Sequence, residues 1–476
     1  MAETMVVSRP PAQIVATGSA ATNGAQRLST PERLITAYFT AIPLLWLLGL
    51  LLPSALLLVF GILVVYVRSR RAVLIAIPWA LVALSQVISV LTNMVAQSQP
   101  AIMFLKHLLS SYVLGWIVLA AAICIGASGM IRPQVFLHAV ARIGFAYVIL
   151  AIPAYIIAFT SSAPFLFFLS PAGYLVPATM NARNFSFGIF VYKWEDFLGT
   201  FMPRLGLFFP WSTAGGYAGL FLVLILLNEP NARRRRLGVS AGVFMVFASM
   251  SRLAIVALAA CVTLRCFFAL SRRMQVVLAV LIVSLMVALA AVVESPTALI
   301  SQLNAEFEAA RPGSNEARDL IYAMTWDAIR EAPLLGHGWP GESTMAPDNS
   351  IFGEDAPFMV IGSHSTISGL IYKGGAITFG LFVFAFATAA TLIVFAPYNT
   401  EPARNAAALL CAIALTCAGD GLESLVVPVV FAFIWLGMIM RDSWEGSWAL
   451  GRGGDARALS RRGHNVRANR AGSIEF

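Results

Sequence analysis

The chain has 476 residues, of which 59% are hydrophobic and 12% are charged, and its formal net charge is +9. Soluble domains carry about 25% charged residues, so this composition excludes an ordinary soluble protein. The basic residues stand in short links between apolar segments and in the C-terminal tail. That distribution is typical of membrane topology and excludes a nucleic-acid partner.

The N-terminal segment, residues 1–33, is small, polar and rich in Ser, Thr and Pro. It lacks the continuous apolar core of a signal peptide, so we expect a disordered cytoplasmic arm. Residues 34–440 then form the transmembrane domain, and residues 441–476 form a basic cytoplasmic tail.

Apolar segments recur along the whole middle of the chain, many of them near the roughly 20 residues that cross a bilayer. They predict an all-α polytopic membrane protein with about twelve transmembrane helices. The predicted spans are 34–51, 53–67, 72–95, 104–127, 142–161, 213–228, 237–250, 253–270, 274–293, 366–396, 404–419 and 424–440.

The basic links orient these spans. With the N-terminus in the cytoplasm, the runs RSRR at 68–71 and ARRRR at 232–236 fall inside, together with the C-terminal tail. The same assignment places both termini in the cytoplasm and two long segments outside, at about 162–212 and 294–365. Loops of this length in a compact fold are usually functional or disordered.

The second external loop is predicted to be partly helical. Apolar residues recur at helical spacing at Leu320, Ile321, Met324 and Ile329, and Pro333 follows where such a helix would end.

Three arginines on the outer side stand against the positive-inside bias. Arg204 is either an interfacial side chain that reaches the headgroups or a guanidinium that grips a phosphate. Arg252 is either a topological stop between two helices or a ligand for an anion. Arg318 would sit near the start of the loop helix, where a cation opposes the helix dipole, so either a surface ion pair or an external anion would balance it.

Two histidines and one lysine complete the candidates. His364 closes the second loop in IGSHSTISGLIYKGGAITFG, as a plain loop histidine or as a general base. His337 competes for that role. Lys373 is either a phosphate contact or an interfacial anchor. No metal-binding motif accompanies the histidines, and we predict neither a metal nor a cofactor.

The order of four segments resembles the O-antigen ligase and O-antigen polymerase superfamily over roughly residues 200–395. These segments are RLGLFFPWSTAGGYAG, SRLAIVAL, ARDLIYAMTWDAIREAPLLGHGW and SHSTISGLIYKGGAITFGLFVF. Two positions depart from the family pattern, which has His-Asn where this chain has His364–Ser365 and Pro-Asn where it has Pro210–Trp211.

The resemblance implies a metal-independent inverting glycosyltransferase of GT-C-like architecture in the bacterial inner membrane, with its active site on the periplasmic side. The donor would be a polyprenyl-diphosphate-linked glycan, with Arg204, Arg252 and Arg318 binding the diphosphate and His364 catalytic. His337 and Lys373 are secondary candidates.

The acceptor defines two hypotheses within the family. A polymerase adds one lipid-linked glycan to another, for O-antigen, capsule or exopolysaccharide, and a ligase transfers the glycan to lipid A-core. The two departures favour the polymerase. A transporter or flippase for a lipid-linked glycan is the alternative from another class, and it predicts charges buried in mid-span and broken helices.

Overall fold

The computed structural model describes residues 27–176, 187–197, 200–270, 273–278, 280–281, 284, 312–343, 359–363, 365–394 and 401–451. These residues are mostly helical. The helices are α1 (Thr30–Leu48), α2 (Leu51–Tyr66), α3 (Arg70–Ala96), α4 (Ala101–Leu108), α5 (Ser111–Ala127), α6 (Pro133–Thr160), α7 (Pro171–Tyr174), α8 (Ser212–Leu226), α9 (Ala232–Ala248), α10 (Arg252–Ala269), α11 (Pro312–Ile329), α12 (Thr366–Val394), α13 (Glu401–Gly419) and α14 (Val426–Gly451), with a short 3-10 helix at Leu422–Leu425 between the last two.

Most of the predicted spans coincide with helices, and the ninth, 274–293, lies largely outside the described residues. Five described helices are long and apolar enough to cross a bilayer, namely α3, α6, α10, α12 and α13. The bent pair α4–α5 makes a sixth if it is one span, and α2 and α8 are apolar but shorter. The chain is thus a helical membrane protein, while the predicted count of twelve spans is not confirmed.

The first helix begins at Thr30, before the predicted span, because Ser29 and Glu32 form a capping box. The Ser29 hydroxyl accepts from the Glu32 N–H at 3.3 Å, and the Ser29 N–H donates to Glu32 Oε2 at 2.9 Å. Glu32 also accepts from Arg132 Nε at 2.6 Å, which joins α1 to the start of α6. The hydrogen bond from Arg132 lowers the pKa of Glu32 to about 2.

The first external segment contains a sheet that the sequence analysis did not predict. Strands β1 (Phe165–Leu169), β2 (Gly188–Phe197) and β3 (Thr200–Leu205) pair antiparallel in that order. The β-branched and aromatic residues of β2 suit a half-buried strand. A second, two-stranded sheet pairs β4 (Gly341–Ser343) antiparallel with β5 (Met359–Ile361). The all-α prediction therefore needs correction to a mostly helical fold with two small sheets.

Contacts between helices establish their relative directions in the bundle. A Cβ added at Gly126 of α5 would lie 1.9 Å from the Ile434 carbonyl oxygen of α14, so these helices meet backbone to backbone. Helix α12 runs antiparallel to α3, because the Ser89 hydroxyl donates to the Lys373 carbonyl while Trp79, ten residues earlier, makes an edge-to-face contact with Phe382. We call the end at which α8, α10 and α12 begin and α13 ends the site end, and the end at which α3 begins the far end.

Candidate functional site

Four chain segments meet at the site end. The Trp211 indole, at the start of α8, donates to Asp420 Oδ2 at 3.1 Å, and the Thr366 N–H, at the start of α12, donates to the Asp420 carbonyl at 3.0 Å. A Cβ added at Gly419 would lie 2.2 Å from the Leu253 side chain at the start of α10. The end of α13 therefore contacts the first residues of three other helices.

Arg204 is part of strand β3, and its side chain is buried, so that only 5% of the residue is exposed. Its guanidinium pairs with Glu195 of the neighbouring strand β2. Its Nε donates to the Ser249 carbonyl at 2.9 Å, in the turn that joins α9 to α10. Arg204 therefore holds the turn that leads into Arg252, and the two predicted arginines lie at the same end of the bundle.

Arg252 is the first residue of α10, and α9 ends at Ala248, close to the boundary between the predicted spans 237–250 and 253–270. Ser251 caps the helix by accepting from the Ala254 N–H at 3.3 Å. The Arg252 side chain is half-buried. A helix N-terminus carries partial positive charge, so an arginine beside it makes this position attractive to an anion.

Arg318 belongs to α11, the helix predicted in the second external loop. This helix ends at Ile329, before Pro333, as the sequence pattern indicates. Thr325 in its last turns is buried, and its hydroxyl accepts from the Gly362 N–H at 3.0 Å. Helix α11 is therefore joined to the segment that leads into α12.

His364 lies outside the described residues, but the residues on both sides of it are described. On one side is the bond from Gly362 to α11. On the other side, the Ser365 hydroxyl donates to the Cys417 carbonyl at 3.2 Å and accepts from the Ile367 N–H at 3.2 Å. The flanks of the predicted catalytic residue are thus anchored to α11 and α13, and its role stays a prediction.

His337 takes part in a structural contact. Its Nε2 lies 2.9 Å from the Ala328 carbonyl, and its ring stacks on Tyr372 with 4.6 Å between ring centroids. A carbonyl can only accept, so Nε2 carries the proton in this arrangement. The half-buried ring therefore ties the PLLGHGW segment to both α11 and α12.

Helix α12 is broken at Gly375, whose φ of 70° and ψ of −175° are accessible essentially to glycine alone. The break frees backbone groups, and the PLLGHGW segment binds them. The His337 N–H donates to the Tyr372 carbonyl and the Gly338 N–H to the Lys373 carbonyl, both at 2.8 Å, while the Ala376 N–H donates to the Pro333 carbonyl at 2.8 Å. We call this contact the loop latch.

The glycines of the loop latch are required by close approach. Gly336 and Gly338 have φ of 65° and 82°, and a Cβ at Gly336 would lie 2.6 Å from the Gly375 nitrogen. A Cβ at Gly375 would lie 2.0 Å from the Leu334 carbonyl. Sequence analysis did not predict the break, because the segment that satisfies it lies far away in the chain.

Lys373, just before the break, is buried and paired. Its Nζ lies 2.5 Å from Glu423 Oε1 in the 3-10 helix, and the two side chains are only 4% and 3% exposed. The ammonium also lies 5.6 Å from the centroid of the Tyr112 ring. An interfacial anchor would reach water, so this geometry does not match that interpretation of Lys373.

Asp420 and Glu423 are the residues that sequence analysis missed. Both stand in the short link GDGLE between two apolar segments on the predicted outer side. The presence of two carboxylates in so short an external link is the sequence signal that would have identified them. The residues that the structure describes contain no group of three or more His, Cys, Asp or Glu side chains placed to hold a metal ion.

Comparison with known proteins identifies one domain. Residues 237–383 match the family model described as O-antigen ligase, and no curated protein sequence matches the chain. The matched range contains Arg252, Arg318, His337, His364 and Lys373, while Arg204 precedes it. Such a domain supports ligase- or polymerase-type activity on a lipid-linked glycan and an acceptor in general. The resemblance to the O-antigen ligase and polymerase superfamily is therefore confirmed over residues 237–383.

Proposed function

We propose that the protein is a metal-independent inverting glycosyltransferase that transfers or polymerises undecaprenyl-diphosphate-linked oligosaccharide. One observation carries this proposal. Arg204 holds the turn before Arg252, and Asp420 joins Trp211 to the start of α12, where the residues flanking His364 are anchored. Arg204, Arg252 and the segments that flank the predicted base lie at the site end, and this arrangement supports the proposal.

The chemistry follows from the residue types. The acceptor hydroxyl attacks the anomeric carbon as the bond to the diphosphate breaks, and negative charge develops on the leaving diphosphate. Guanidinium groups of Arg252 and Arg318 stabilise that charge through charge-assisted hydrogen bonds. A ring nitrogen of His364 accepts the proton of the hydroxyl. Attack from the face opposite the leaving group inverts the anomeric configuration.

In this proposal the Arg204 guanidinium releases Glu195 and binds the donor diphosphate in its place. Because Glu195 is its present partner, the role can be tested directly. In Glu195→Gln the competing charge is removed, so the KM for the donor should fall while kcat changes little. If Arg204 acts only by holding the Ser249 turn, the donor KM stays at the wild-type value.

The predicted topology completes the proposal. The far end carries basic residues at the starts of α3 and α9, which by the positive-inside rule favours a cytoplasmic position for that end. The site end would then face the periplasm of a bacterial inner membrane, with both termini in the cytoplasm. A lipid-linked donor has its glycan on that side, so the site would lie where donor and acceptor meet.

Of the two subtypes we favour the polymerase, with the ligase as alternative. Deletion of the gene separates them. Single repeats on the lipid A-core, or loss of long capsular or exopolysaccharide chains, indicate a polymerase, whereas long chains stranded on the carrier lipid indicate a ligase. His364→Ala and Arg252→Ala should each abolish complementation while the protein still inserts in the membrane, and an active His364→Ala would remove the general-base assignment.

A transporter or flippase is the alternative that one feature favours, since α12 is broken and Lys373 and Glu423 are buried. In transporters the unwound backbone groups bind substrate or ion. Here the Tyr372 and Lys373 carbonyls already accept hydrogen bonds from the His337 and Gly338 N–H groups of the loop latch. The break is therefore closed by protein, which supports the enzyme. Unaltered glycans and defective solute uptake in the deletion strain would instead support transport.

A further inference from the structure

A cavity of about 510 Å³ opens at the far end of the bundle. It lies between the start of α3, the end of α5 and the middle of α14. Its charged lining consists of Arg70, Arg71 and Arg441 together with Glu445. Nothing in the proposed glycosyl transfer uses these residues.

The lining attracts anions. Three arginines and one carboxylate line the cavity, and the Arg71–Glu445 contact is long, at 3.8 Å between Nη1 and Oε1. Arg441 also donates to Asp442 Oδ1 beside the cavity, from Nε at 2.9 Å and from Nη2 at 2.6 Å, so the three arginines still outnumber the two carboxylates. Arg70 and Arg71 are exposed, so both guanidinium groups are accessible to a ligand. The first turn of α3 adds the partial positive charge of a helix N-terminus to the same cavity.

The position of the cavity points to a lipid. Along α3, Ser89 contacts the Lys373 carbonyl, and Arg70 lies 19 residues earlier, which is about 28 Å of helix. That distance is close to the hydrocarbon thickness of a bilayer, roughly 30 Å. The cavity therefore lies at headgroup level on the face opposite the site end.

The surface beside the cavity fits acyl chains. Val73, Leu74 and Ile77 follow the two arginines on α3, and they are 50%, 54% and 40% exposed. A free phosphate would use only the arginines, whereas a phospholipid would use the arginines and this apolar surface together.

We propose that the cavity binds the phosphate of an anionic phospholipid headgroup. Arg70, Arg71 and Arg441 contact the phosphate, and the acyl chains lie along the exposed apolar face of α3. The site is separate from the glycosyl transfer site, and its test does not depend on enzymatic activity.

The test is a binding titration on the purified, delipidated full-length chain in neutral detergent. Dispersed phosphatidylglycerol is the probe, and phosphatidylcholine and inorganic phosphate are the comparison ligands. Each arginine near a headgroup contributes roughly a fivefold gain in affinity, so Arg70→Gln/Arg71→Gln should weaken phosphatidylglycerol binding about 25-fold. Arg233→Gln/Arg236→Gln, with the same charge change at exposed positions outside the cavity, should leave binding at the wild-type level.

A gain-of-affinity variant protects the test against misfolding. Glu445→Gln removes the one carboxylate of the lining and should tighten phosphatidylglycerol binding roughly fivefold. Equal weakening in the cavity variant and its control would overturn the proposal, as would equally tight phosphatidylcholine binding. Inorganic phosphate that binds as tightly as phosphatidylglycerol would show a phosphate site and overturn the assignment to a lipid.

Discussion

The Lys373–Glu423 pair offers the sharpest test of the site end. Both side chains are almost fully buried and their charged atoms lie 2.5 Å apart. Removal of one partner leaves an uncompensated buried charge, so Lys373→Met and Glu423→Gln should each destabilise the protein by about 3–5 kcal/mol. The double variant buries no charge. Glu423 Oε2 has no hydrogen-bond partner among the described residues, so the native pair is not fully satisfied. The free energy of unfolding of the double variant should therefore lie within about 1–2 kcal/mol of the wild-type value.

The assay is thermal and denaturant unfolding of the four proteins in detergent, followed by kinetics in proteoliposomes with lipid-linked donor. Single variants as stable as the wild type, or a double variant as unstable as the singles, would refute the reasoning from burial. Kinetics then decide the role of Lys373. A stable double variant with a wild-type donor KM shows a structural pair, whereas a raised donor KM shows a phosphate contact.

Three further outcomes are expected. Gly375→Ala places a Cβ 2.0 Å from a carbonyl at positive φ and should cost at least about 2–3 kcal/mol in unfolding experiments, whereas Gly380→Ala, with no atom within 4 Å of its added Cβ, should be neutral or stabilising. Trp211→Phe loses the indole bond to the carboxylate at the end of α13 and should lower the free energy of unfolding by about 1–2 kcal/mol; an unchanged unfolding midpoint would contradict that bond. The pKa of Glu32 is lowered in the folded state, so its contribution is present above pH 4.5 and is lost as the pH falls towards about 2. Because Arg132 is 40% exposed, we expect on the order of 2 kcal/mol, seen as a steeper acid loss of stability in the wild type than in Glu32→Gln.

The helices were largely predictable because apolar length and basic links are properties of single segments. The positions of Arg252 at a helix start and of the helix in the second loop followed from such local patterns. The break at Gly375 did not, because its partner groups come from the PLLGHGW segment, far away in the chain. The sheet around Arg204 was missed for a different reason. Its strands β2 and β3 are neighbours in the chain, with Phe197 paired to Thr200, but their aromatic residues also suit a membrane interface.

The sequence predicted which residue types belong to the candidate site, but it did not predict most of their contacts. The sequence places arginines and a histidine on one face, but it does not say which of them are paired. Arg204 illustrates the difference, because its pairing with Glu195 becomes visible only when two strands are set side by side. Lys373 illustrates it again, since a lysine in an apolar segment has no partner in sequence until the 3-10 helix supplies Glu423.

The two residues that depart from the family pattern contact the same part of the fold. Trp211 stands where the pattern has the Asn of Pro-Asn, and its indole bonds the Asp420 side chain just after α13. Ser365 stands where the pattern has the Asn of His-Asn, and its hydroxyl bonds the Cys417 carbonyl within the last turn of α13. Both replacements are hydrogen-bond donors, as the amide of Asn is, and both reach the same helix end. In this chain Trp211 therefore ties the start of α8 to the end of α13, and Ser365 ties the start of α12 to the same helix end.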